Sequence, residues 1–165
     1  MLIEGHDIGI ELPPGWDGRV RSRPRTELPL GSSITQSFAT PLRSHLVTAH
    51  AANFALPPGD GDFGTGATAA MPADGVFASL VEYQPGGGLE PGVGLYEPQG
   101  LPRGLAPSDF HPDAMLRAQP GQAGAQRFFT AAGRPFCLFA VIGSRRRARA
   151  LVPQVNALLA GVRIG

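Results

Sequence analysis

Apolar residues occupy every second position in the stretch HDIGIEL, where Ile8, Ile10 and Leu12 share one side, and this alternation predicts a half-buried first strand. Pro13 and Pro14 end it, because neither can donate to a sheet ladder. In GRVRSRP, Arg19, Arg21 and Arg23 alternate with Val20 and Ser22, which predicts an edge strand carrying the arginines on its solvent face. HLVTAHAANFAL, ATAAM and VFASLVEY predict three more strands, the last setting Val76, Ala78, Leu80 and Glu82 against Phe77, Ser79, Val81 and Tyr83. The strongest signal is QRFFTAAGRPFCLFAVIG, two Phe-rich and β-branched runs about a Gly133-Arg134 turn, which predict a central hairpin.

The period then changes. Ala148, Leu151, Val152, Val155, Leu158 and Leu159 recur at helical spacing after Ser144, a residue suited to cap a helix. Pro153 either kinks this helix or stands in the first turn of its regular part. Gly161 ends it, and VRI predicts a last short strand. SDFHPDAMLRAQ predicts a short second helix, capped by Ser108 or Asp109 with Pro112 in its first turn. The expected fold class is therefore α+β: an antiparallel sheet of about six strands packed against a long C-terminal helix and a short second helix.

Between these elements lie two stretches without a period, 24–44 and 84–107. The second is broken by glycine and proline throughout and reads as a flexible or ligand-facing loop. At 165 residues the chain fits one domain, 1–165, large enough to bury a core without metal or disulfide. Its 23 glycines and 17 prolines favour turns and strands over long helices.

Charge and cysteine narrow the function classes. A formal charge of +1 provides no global field toward nucleic acid or an anionic membrane, so any such contact must be local. All 14 basic residues are arginine, a usage that fits a GC-rich coding bias. The single Cys137 lies among large apolar residues and reads as an inert core thiol. The start MLIEGHDIGIEL lacks the pattern of a secretory signal, and no apolar run is long enough to span a bilayer, so a cytoplasmic location is the expectation.

Candidate chemistry is sparse. Asp60 and Asp62 in GDGDFGTG have the initial spacing of a calcium loop, but Gly64 and Met71 stand where further oxygens are needed, leaving a solvated turn. The loop is no phosphate cradle either, since the chain has no lysine. His45 and His50 fall on opposite faces of a strand and cannot share a metal. Asp109, His111 and Asp113 form the one local His-carboxylate cluster, a candidate general base whose residues also suit turn capping. Arg145, Arg146, Arg147 and Arg149 are the sharpest charge feature and the candidate partner contact. Without interleaved exposed aromatics they argue against nucleic acid. Trp16, just after the Pro-Pro-Gly stop, reads as a corner residue folding its ring over the core edge while its N–H meets a carbonyl.

The opening strand into LPPGW, the late apolar hairpin, and the long helix followed by GVRI resemble the PsbP and Mog type of domain over residues 7–23 and 126–164. The layout is also similar to that of actinobacterial proteins of the same organisation. The resemblance implies an antiparallel sheet packed on helices and a role as a binding or assembly factor rather than an enzyme. The matching positions are structural, so the resemblance implies no functional residues. No catalytic residue, cofactor or metal is expected; a protein partner is, through the arginine run and the 84–107 loop. The alternative is a small enzyme or ligand-binding domain centred on His111.

Overall fold

A computed structural model of the protein describes residues 1–24, 45–85 and 90–165. Among these residues, eight strands form two antiparallel sheets. The larger has five strands, β3 (Asp17–Pro24), β4 (His45–Ala52), β5 (Val76–Glu82), β7 (Arg134–Ile142) and β6 (Ala123–Ala131), in the order β3-β4-β5-β7-β6. The smaller joins β1 (Leu2–Gly5), β2 (Ile8–Glu11) and β8 (Val162–Ile164), in the order β1-β2-β8. The α+β class, the antiparallel pairing and the C-terminal helix α2 (Ala148–Ala160) agree with the sequence reading. The expected single sheet of about six strands does not: the first strand pairs with β1 and the chain end in a sheet of its own.

Two local expectations are corrected. ATAAM is not a strand but part of α1 (Thr65–Ala70), because it lies over an already paired sheet face and its alanines favour the helix. The expected second helix over 108–119 is reduced to two 3₁₀ turns, Pro107–Asp109 and Pro112–Ala114, with prolines leading both and denying donors to any longer helix. The stretch 24–44 lies outside the described residues apart from Pro24, which ends β3.

Both faces of the five-stranded sheet are covered, which is why all nine residues of β7 and all seven of β5 are buried. On one face Val47, Ala49, Ala51, Val76, Ala78, Leu80, Phe136 and Leu138 meet the apolar stripe of α2 and Ile8, Ile10 and Val162 of the smaller sheet. On the other, Ala52, Phe77, Phe139 and Val141 meet Leu56, Ala67 and Met71 from the segment leading into and out of α1. That covering segment must pass very close: a Cβ on Gly64 would lie 2.0 Å from the Phe77 ring, and Gly64 has φ +72°, so only glycine fits.

The predicted hairpin is β6–β7, closed by Ala132 and Gly133, both at positive φ (51° and 70°), the backbone of a two-residue primed turn. Only β7 is interior; β6 forms the edge. Pro153 sits at the sixth position of a continuous α2 on its exposed side, where its ring faces water and the unpaired Arg149 carbonyl can be hydrated. Ser144 precedes the 3₁₀ turn Arg145–Arg147 but makes no side-chain cap. Trp16 is half-buried against the main core as a corner residue, yet its indole N–H finds no partner among the described residues. Within 90–109, Tyr96 and Leu105 are buried and Gln99 is bridged to Thr130.

Candidate functional site

Arg145, Arg146, Arg147 and Arg149 are all exposed at the entry to α2. None makes an ion pair or side-chain hydrogen bond among the described residues, and the first turn of α2 contains no acidic residue. Four cations stand at the positive end of a helix with no counter-charge among the described residues.

The His111 cluster does not converge. His111 and Asp113 are exposed, and His111 is held by its backbone, exchanging hydrogen bonds with Gly124 at 2.8 and 3.0 Å. The Asp109 carboxylate accepts from the Ala106 N–H at 2.7 Å and pairs with Arg127 at 2.9 Å, which is a turn cap with an added ion pair.

A denser constellation lies where β3 and β4 meet the loop before α1. Alternation in β4 sends Val47, Ala49 and Ala51 to the main core and His50 to the opposite face, beside Ser79 of β5. The 56–63 loop folds back over that face and buries Asp60 completely. Asp60 Oδ2 lies 2.7 Å from His50 Nδ1, and Asp60 Oδ1 accepts from the Arg21 guanidinium. Arg19 stands 3.9 Å from the same carboxylate and donates to the Leu56 carbonyl at 2.9 Å. Arg23 reaches Asp62 at 3.4 Å. The arginines of β3 keep part of their surface in solvent on an edge strand, as expected, but turn their guanidinium groups to the loop, and Asp60 is no solvated turn residue because the loop buries it.

Asp, His and Ser on adjoining positions suggest a nucleophilic triad, but the hydrogen bonds exclude it. His50 Nε2 faces the Asp62 carbonyl at 2.8 Å, and Ser79 Oγ donates to that same carbonyl at 2.9 Å. A triad needs an unprotonated imidazole nitrogen to take the serine proton. Here Nδ1 is engaged by Asp60 and Nε2 by the Asp62 carbonyl, so neither ring nitrogen is directed at Ser79 Oγ. Burial pushes the Asp60 pKa up, but hydrogen bonds and charge from Arg21 and His50 outweigh it and hold the carboxyl below its ordinary value. The network is a latch that fastens the loop to the sheet.

A second buried ion pair was equally hidden: Arg134 meets Glu82 through two bonds of 2.9 and 3.0 Å, while Glu82 Oε2 accepts the Val47 N–H at 3.0 Å. Cys137 is fully buried, and burial raises its pKa to about 11, as expected of a core thiol. Among the described residues no group of three His, Cys, Asp or Glu side chains could hold a metal, and no helix is long and apolar enough to cross a membrane. Comparison of the chain with protein-family models, with curated proteins and with solved structures returned no match.

Proposed function

We propose that the protein is a non-enzymatic binding or assembly module that docks an acidic protein surface through Arg145, Arg146, Arg147 and Arg149. The observation that carries this reading is their unneutralised exposure at the positive end of α2. Such a placement weakens the fold, each cation by roughly 0.3–1 kcal/mol at low salt, and an external anionic partner is the compensation available. Val93 and Leu95, each 60% exposed in the glycine-rich loop, add apolar surface of the kind found at protein contacts. The enzyme alternative around His111 has weaker support, since its carboxylates are exposed or already engaged by turn and ion-pair bonds.

The test is cross-linking in the native cytoplasm followed by mass spectrometry, comparing wild type with R145E/R146E/R147E/R149E and with the four positions changed to lysine. A stoichiometric partner whose cross-linked surface is acidic, lost with glutamate and retained with lysine, is the expected result. A partner retained by the glutamate variant, or no partner in any sample, contradicts the reading.

A further inference from the structure

At the far end of α2 from the arginine run, β8, the β6–β7 turn and the segment 99–103 enclose an open cleft of about 430 Å³. That volume lies within the range of roughly 300–1,000 Å³ typical of small-molecule sites. Its walls are set by main-chain bonds: Thr130 N–H donates to the Pro98 carbonyl and Gly100 N–H to the Thr130 carbonyl, both at 2.8 Å. Behind the turn, Arg134 is fixed by Glu82 and donates through Nη1 to the Gly165 carbonyl at 3.1 Å.

Two cations border this cleft, Arg103 and Arg163, and none of its lining residues is acidic. Among the described residues Arg103 makes a single long bond of 3.4 Å to the Val162 carbonyl, which leaves most of its donors without a partner there. Arg163 has no ion pair or side-chain hydrogen bond among the described residues. The one carboxylate sharing its row of the small sheet, Glu4, reaches over Gly9, its Oε1 3.6 Å from where a Cβ on Gly9 would stand, and forms no ion pair with Arg163 among the described residues. Leu101 and Ile164, each partly buried against the main core, give the same cleft an apolar side. Guanidinium groups keep their charge at every physiological pH and match an oxyanion with paired donors.

We propose that this cleft binds a small organic oxyanion, its charged head between Arg103 and Arg163 and a short apolar body against Leu101 and Ile164. The site is separate from the arginine run and does not depend on the partner reading. The test is titration of the protein, observed by amide and methyl NMR, with butyrate and with butyl phosphate, using sodium chloride at matched ionic strength as control. Saturable shifts with a millimolar midpoint are expected at Gly100, Arg103, Ala132 and Ile164, and the head group with the lower midpoint is the one the site prefers. R103Q and R163Q, exposed changes that leave the remaining spectrum intact, each raise the midpoint at least ~10-fold. Shifts no greater than those from chloride with both probes, or midpoints unchanged in both variants, overturn the proposal.

Discussion

Asp60 is a buried charge on which a loop depends. It is fully buried between Arg21 and His50, so Asp60→Ala leaves the Arg21 guanidinium and a buried His50 nitrogen without their acceptor and should cost about 3–5 kcal/mol in urea unfolding. Its folded pKa is lowered, so the associated stability is present above the unfolded value and disappears as pH falls through the folded one. Stability should therefore begin to fall only below about pH 4, and the Asp60→Asn variant should show a shallower acid limb than wild type. Cys137, with its pKa near 11 and no exposure, should react with a thiol reagent at pH 8 at least ~100-fold more slowly in the native than in the urea-unfolded protein. The inert thiol was legible in its apolar neighbours. The latch was not: Asp60 stands in a run of glycines that reads as a turn, and its partners lie on two strands whose adjacency no local pattern discloses.

Among the elements, the β6–β7 hairpin and α2 were legible because each carries its own period and stop signals. Misread elements were those decided by what lies over them. ATAAM has no strand partner left and becomes helical, while the prolines around His111 permit only single 3₁₀ turns. The split of the strands into two sheets depends on β8 returning from α2 to β2, a pairing of the chain's two ends that alternation alone does not specify. Two exposed positions depart from element preference and are open to improvement. Ala132 occupies the left-handed region at φ 51°, so Ala132→Asn should stabilise the turn by roughly 0.5–1 kcal/mol. Pro153→Ala restores a helix bond to the Arg149 carbonyl and should raise stability by about 1 kcal/mol or more, read as a higher urea midpoint at unchanged slope.

For the whole molecule, two sets of described charges stand in contrast. Those of β3, β5 and β7 are paired across the sheet or to the loop over it, Glu82 with Arg134 both buried and the buried Asp60 with a partly exposed Arg21, and they fasten loops and strands. Those at the two ends of α2 are exposed and without counter-charge, and both proposed contacts lie there. The basic run was legible in the sequence as a candidate contact, whereas the cleft beside Arg163 needs the folding of three distant segments into one rim. The central claim is that Arg145, Arg146, Arg147 and Arg149 serve something outside the fold. Its most direct measurement is urea unfolding of R145E/R146E/R147E/R149E against wild type at low and high salt. The account predicts a variant more stable by about 1–3 kcal/mol at low salt, with the difference shrinking at 1 M salt, because glutamates complement the helix N-terminus that the arginines oppose. A variant less stable than wild type would show the arginines to be structural and contradict the account.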